Sequence, residues 1–558
     1  MATMNKKRGT VVMKTDTRKT TNHEGSKVHK LNTLETLFSK VLGSFFGEST
    51  YYEKRTADKD FKEIESLIAQ IPDEDIEYAL KVARIGREYN MIQFPLAVLT
   101  ACFNDERFKG EKFSDENTGK NKLQTYTDYI VRRGRDILDV IAMQTSVYGF
   151  DVTTSGRGKN KTNHRETPLP MQLRKSLKMK LESFNEYQLS KALGENKSVS
   201  MADVIKLLHP NPVKSKVSKD FFKRVIEGKV EFGGSEETKQ VQSELSKVNN
   251  KNSKSTKADV KKSIDTSTVM AIVKNLVALD RAGMFDDTEA VKSICDKLTN
   301  AKEVQKSRLL PFRFYSAYQE VSRLNNSRGK RQILDALVEA LDLSIDNLQD
   351  IDGYSAILID RSGSMRSSVS GASNVTADVV ACMLGAICFK KGIADVYVFA
   401  NSCKQVTNIS RKSTVMDILN TIMRCDVGGG TYLDIALHTI GDQKTKYDNL
   451  IILSDNDCYS SNGKSFTFRS MSGWYGSSYD TDKEINKLFE KGVIKKLYLD
   501  NLLGNSFTIA NTDDFRKNLI TGFSERVIDV INVYSSIGTG ASDVRKVIDS
   551  IVETLPTR

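Results

Sequence analysis

The chain has 558 residues, of which 39% are hydrophobic and 28% charged, with a formal net charge of +12. That length exceeds what one hydrophobic core ordinarily supports, so two large units are expected, and the apolar fraction excludes a wholly disordered chain. The positive excess favours an anionic partner, nucleic acid before any other.

Seven cysteines, an odd number with no C-x-x-C pair, argue against a disulfide framework or a zinc site and for a reducing, cytoplasmic setting. No stretch approaches the length of a membrane span, so no membrane partner is expected.

Residues 1–30 are polar and basic, with Lys6, Lys7, Arg8, Lys14, Arg18, Lys19, Lys27 and Lys30 and no apolar period, and read as a disordered arm. From Thr33 helical periodicity begins: Leu34, Leu37, Phe38, Val41 and Leu42 share one face, then Phe61, Ile64, Leu67, Ile68 and Ile71 share another. Ile76, Leu80, Val82 and Ile85 continue the series, followed by Phe94 to Phe103. A helix from Tyr129 to Met143 comes next, with Arg132, Arg133 and Arg135 on its first turns. Strict alternation is hard to find before residue 350, so residues 31–350 predict an all-helical region of stacked helix pairs.

Two polar stretches interrupt it, near 153–167 and 233–263, and both read as flexible insertions. The first leads into MQLRKSLKMKL, where Arg174, Lys175, Lys178 and Lys180 crowd a helix whose other face is Leu173, Leu177 and Leu181. Such a basic face is either a phosphate-binding surface or a solvated one. In SMADVIKLLHPNP, Ser200 is the expected N-cap and His209 ends the helix as a capping or RNA-contacting group. Met270 to Gly283, Ala290 to Leu298, Leu309 to Tyr318 and Gln332 to Leu343 complete the helical half.

Residues 351–558 have another rhythm. Apolar runs YSAILID, DVYVFA, LIILSD and KLYLDNL alternate with helical segments, which predicts a doubly wound, mostly parallel sheet covered on both faces. Ligands of such sheets bind beyond the carboxyl ends of the strands. Three loops there carry oxygen: Asp360, Ser362 and Ser364 after the first run, Thr431 after three glycines, and Asp455 after LIILS. Carboxylates with neutral hydroxyls suit Mg²⁺ or another hard divalent cation. No G-x-S-x-G elbow, no G-x-x-x-x-G-K-[ST] loop and no acid two residues after Asp360 accompany them, so binding is expected and an enzyme is not.

This constellation resembles a von Willebrand factor type A domain with a metal-ion-dependent adhesion site, in which Asp360, Ser362, Ser364, Thr431 and Asp455 match the metal ligands. FGESTYYEKR, FPLAVLTACF, LPMQLRKSLKMKL, MADVIKLLHPNP, MAIVKNLVAL and LLPFRFYSAY, in that order before it, resemble the TROVE module of the Ro autoantigen family. The resemblance implies a HEAT-like ring of helical repeats closed by the A domain. It further implies binding of small structured non-coding RNA on the basic outer surface, threading of single-stranded ends of misfolded RNA through the hole, and an acidic protein ligand at the metal. It assigns RNA contacts to Lys191 and His209 and to the basic helix with Arg174 and Lys175, to which the basic pattern adds Lys178, Lys180, Arg132 and Arg133. Ala192, Leu193, Gly194, Glu195 and Val199 depart from the family pattern beside these positions. The competing reading is a protein-interaction scaffold whose charge serves solubility.

Overall fold

The structure is a computed structural model describing residues 19–22, 27–44, 46, 55–110, 113–115, 119, 121–148, 151–155, 162–166, 169–193, 199–229, 257–368, 375–458, 480–503, 505, 507–522, 527–538 and 543–556. The first helical block comprises α1 (Thr33–Gly43), α2 (Ala57–Gln70), α3 (Glu77–Glu88), α4 (Gln93–Asn104), α5 (Lys122–Ile130), α6 (Gly134–Tyr148), α7 (Met171–Ser183), α8 (Glu186–Ser190), α9 (Met201–Leu208) and α10 (Lys219–Ile226). The second comprises α11 (Lys257–Thr266), α12 (Val269–Arg281), α13 (Thr288–Leu298), α14 (Ala301–Ser307), α15 (Pro311–Ser322) and α16 (Lys330–Leu343).

Their ends follow local chemistry. Asn32 caps α1 in a reciprocal box, its Oδ1 accepting from Glu35 N while Glu35 Oε2 accepts from Asn32 N, both at 2.8 Å. Ser200 and Asp203 make the same box at α9, as the sequence predicts. Pro311 opens α15 at a position where its missing N–H costs nothing.

Four expectations are corrected. The predicted helix over 129–143 is two, because the Asp136 carboxylate accepts from the backbone N–H of Arg132 (2.9 Å) and Arg133 (3.1 Å) and so starts α6 afresh. Strands do occur before residue 350: β3 (Asp151–Ser155) and β4 (Thr162–Glu166) pair antiparallel, Asp151 opposite Glu166 and Ser155 opposite Thr162, overlapping the stretch read as flexible. Val152, Thr153 and Thr154 supply the β-branched run that favours this. The second insertion ends in α11, whose Val260 and Ile264 are buried at helical spacing, and its residues 233–256 lie outside the described ones. The arm is not wholly free either: β1 (Lys19–Thr21) and β2 (Lys27–Lys30) are strands, with Val28 buried as the apolar anchor; residues 1–18 lie outside the described ones.

The second half holds a six-stranded sheet in the order β11-β9-β8-β5-β6-β7, from β5 (Ser355–Asp360), β6 (Ala394–Phe399), β7 (Cys403–Gln405), β8 (Tyr447–Ser454), β9 (Ile494–Asn501) and β11 (Lys517–Thr521). All neighbours pair parallel except β7, which is antiparallel to β6. The short β10 (Phe507–Thr508) pairs instead with β2. Helices α17 (Ala377–Lys390), α18 (Val415–Arg424), α19 (Leu433–Gly441), α20 (Thr481–Glu490), α21 (Val527–Ile537) and α22 (Val544–Thr554) complete the domain.

The two faces of the sheet belong to different cores. Ile357, Ile359, Val396, Val398, Ile451, Leu453 and Ile520 point into a cluster continuous with the helical half through α17, α18 and α21. Ala356, Leu358, Tyr397, Phe399, Ile452 and Leu499 point into a second, smaller cluster with α19 and α20. The domain packs at both ends of the helical series: β11 and α22 lie against α1 and α3, and α18 lies against α16. Tyr78 and Lys81 of α3 both reach Asp549 of α22, at 2.7 and 2.6 Å, and Lys390 of α17 reaches Asp342 of α16 at 2.8 Å.

Candidate metal centre and nucleic-acid interface

The alternation of β5 ends at its carboxyl edge in Asp360, which is fully buried. The chain then turns so that Ser362 N donates to Asp360 Oδ1 at 2.8 Å, and the Ser362 and Ser364 hydroxyls lie 3.2 Å apart. On the neighbouring strand β8, Ser454 Oγ donates to Asp360 Oδ2 at 2.7 Å. Asp455 follows, fully buried, its Oδ1 accepting from Asp457 N at 3.0 Å.

Thr431, 5% exposed, joins through the backbone. Gly363 N donates to Gly429 O at 3.3 Å, and Tyr432 N donates to Ala400 O at 2.9 Å, which ties the glycine loop to the end of β6. Gly428 is required there: its φ is +90°, and a Cβ would stand 2.6 Å from Asn401 Nδ2. Asn401 Oδ1 accepts from Gly430 N at 2.7 Å and so fixes the loop. The structure thus brings the three predicted loops to one edge of the sheet.

The electrostatics suit a cation. Burial first and the Asp455 carboxylate second push the Asp360 carboxyl above the ordinary carboxylate range, while hydrogen bonds from Ser454 and Ser362 act the other way. Two buried acids that repel one another are relieved by a bound dication, and serine and threonine hydroxyls are neutral oxygen donors of the kind Mg²⁺ accepts. Among the described residues no group of three or more His, Cys, Asp and Glu gathers in metal-binding geometry. Sequence reasoning missed Ser454, which buttresses Asp360, and the buried Asp457; the run SDND after β8 was the available signal.

The basic residues divide. Leu173, Leu177 and Leu181 bury one face of α7, leaving Lys175 exposed and Arg174 and Lys178 half-buried. Lys191 is exposed with its Nζ 3.9 Å from the Tyr187 ring centre. His209 is exposed in the left-handed conformation (φ 47°) that ends α9, its N–H donating to Ile205 O. Arg132 is a correction: its guanidinium is engaged by Tyr129 O (2.8 Å), Arg87 O (2.9 Å) and Glu88, so it holds α5 to α3 and is not presented to a ligand. Arg133 pairs with Asp136 at 2.6 Å, although half its side chain is exposed. Lys180 is 13% exposed and spent largely on Asp128, whose carbonyl accepts at 3.0 Å. The presentable set is therefore Arg174, Lys175, Lys178, Lys191 and His209. Lysines at 206, 214, 216, 219 and 223, all exposed on and between α9 and α10, extend it.

Among the described residues no helix is long and apolar enough to cross a membrane, and all seven cysteines are free. A TROVE domain model matches residues 254–350. RNA-binding protein RO60 of Deinococcus radiodurans is 21% identical over 284 residues, 49% of this chain and 50% of that protein, so the match spans about half the length of that relative. The crystal structure of the Deinococcus radiodurans RO (RSR) protein superposes with a TM-score of 0.55 at 16% identity, over 94% of this chain and 99% of that one, which shows a shared fold. The segment that matches the TROVE model is followed by the α/β domain, and the whole chain shares its fold with the RO protein of Deinococcus radiodurans.

Proposed function

We propose that this chain is an RNA-binding, non-catalytic protein that holds small structured RNA, or single-stranded RNA ends, on the face formed by α7, Lys191 and the α9–α10 hairpin. The observation that carries the reading is the close run of exposed lysines at 175, 191, 206, 214, 216, 219 and 223 on and between α7 and α10, with exposed His209 among them, while nearby Arg132 and Lys180 are held in internal pairs. Phosphate contacts would dominate, so affinity falls with salt by about 0.7 to 0.9 log units per log unit of salt for each contact. Reversing Arg174, Lys175 and Lys178 to Glu is expected to weaken binding to structured RNA by roughly tenfold or more and to flatten that salt slope. Unchanged affinity and slope in filter binding at moderate salt would remove the assignment.

Asp360, Ser362, Ser364, Thr431 and Asp455 are proposed to hold Mg²⁺ or a similar cation, as in a von Willebrand factor type A domain, with a coordination position left for an acidic side chain of a protein partner. The support is the oxygen-only donor set around two buried, mutually repelling carboxylates. Asp360→Ala is expected to abolish Mg²⁺ binding in calorimetry with the helical circular dichroism retained; equal heats in the variant and the wild type would defeat the metal reading.

A further inference from the structure

The loop that carries Asp455 is held from outside the sheet domain by the N-terminal arm. Strand β2 adds antiparallel to β10, with Lys30 opposite Phe507 and His29 opposite Thr508, and β1 adds to β2. Val28 is 1% exposed and enters the same core cluster as Phe507, Ile509 and Cys458, so the hairpin is anchored by burial as well as by backbone bonds. Directly after β1, Asn22 is buried, and its Nδ2 donates to Cys458 O at 2.8 Å across 436 residues of sequence.

Cys458 lies three residues after Asp455. Its Sγ lies 3.4 Å from Ser454 Oγ, the hydroxyl that donates to Asp360 Oδ2. Asp455 and Asn456 are framed from the same side: Asn505 Nδ2 donates to Asp455 O at 2.7 Å, and Asn456 Nδ2 donates to Phe507 O, on β10 itself, at 3.5 Å. Asn456 is in the left-handed region (φ 63°), so this turn is a specific conformation that its surroundings must hold.

We infer that the arm's hairpin is a working part of the proposed metal centre, with Asn22 a positioning residue that fixes the loop from Asp455 to Cys458 and so sets Asp455 against Asp360. The inference rests on the metal reading for its ligand, while the clamp itself rests on the contacts above. Supporting groups of this kind orient a ligand without touching the ion, and their loss weakens metal binding while the fold stays intact.

The test uses the full chain and MgCl₂. Asn22→Ala is expected to raise the Mg²⁺ dissociation constant about tenfold or more with the thermal midpoint little changed. Asn22→Asp keeps the side-chain shape but its carboxylate cannot donate to Cys458 O, so it should behave as the alanine variant does. Thr20→Ala, on the exposed β1 strand of the same hairpin, should bind Mg²⁺ like the wild type. Amide exchange at residues 456–458 in metal-free protein should speed up in both Asn22 variants. Wild-type Mg²⁺ affinity together with unchanged exchange in those variants overturns the inference. A wild type that binds no Mg²⁺ overturns the metal reading instead, and faster exchange in the Asn22 variants then still supports the clamp.

Discussion

Asp136 shows how a single carboxylate can organise a helical junction. It is fully buried and accepts from Arg87 Nη2 at 2.6 Å, from Arg133 Nη2 at 2.6 Å and from two backbone N–H groups. Arg87 is itself buried, giving its Nε to Ile130 O at 2.7 Å. Removing the carboxylate takes the buried counter-charge from that guanidinium, so Asp136→Ala is expected to destabilise the protein by about 3 to 5 kcal/mol in urea denaturation. A loss of less than about 1 kcal/mol, the ordinary value of a surface pair, would show that Arg87 finds another partner. The same chemistry holds Arg132 and Lys180 in internal pairs. Their charges were visible in the sequence, but their partners Glu88 and Asp128 come from other elements, at separations of 44 and 52 residues.

At the scale of elements, the proposed metal centre depends on three strand ends and on a glycine loop of fixed shape. Gly428→Ala would force a left-handed backbone on a residue that disfavours it and crowd Asn401, at a cost of about 1 to 3 kcal/mol. Because Asn401 also fixes Gly430, the change should displace Thr431 and weaken Mg²⁺ binding as well as lower the melting temperature. Wild-type affinity in calorimetry would show that the loop's shape does not govern the site. The α7 face was legible from its spacing alone, since three leucines at intervals of four fix which side is buried. The β3–β4 hairpin was not legible: short polar strands carry little hydrophobic pattern, and only their pairing identifies them.

For the whole molecule, the sheet domain is held at both ends of the helical series and shares its larger core with it, which favours cooperative unfolding of the two halves. The contact at α16 is anchored by Asp342, which accepts from Lys390 Nζ and from Val415 N, both at 2.8 Å. Asp342→Ala leaves the first N–H of α18 without its acceptor and that amine with the Ser413 carbonyl but no counter-charge, and should cost about 1 to 3 kcal/mol. Hydrogen exchange should then quicken in α16 and α18 before α19, which lies on the opposite face of the sheet; uniform change along the chain would contradict a local seam.

The sequence by itself determined the helical first half, the parallel sheet of the second and the three loops with Asp360, Thr431 and Asp455. Each of these is encoded by local period or by short spacing, and local signals survive in one dimension. The tertiary structure decided which basic residues remain presentable, where the arm goes and what supports the Asp455 loop. Those outcomes turn on partners far away in the chain, such as Asn22 with Cys458, and on burial that no window of sequence contains. An ion pair or a clamp is a property of two segments, and only folding brings the second segment into reach.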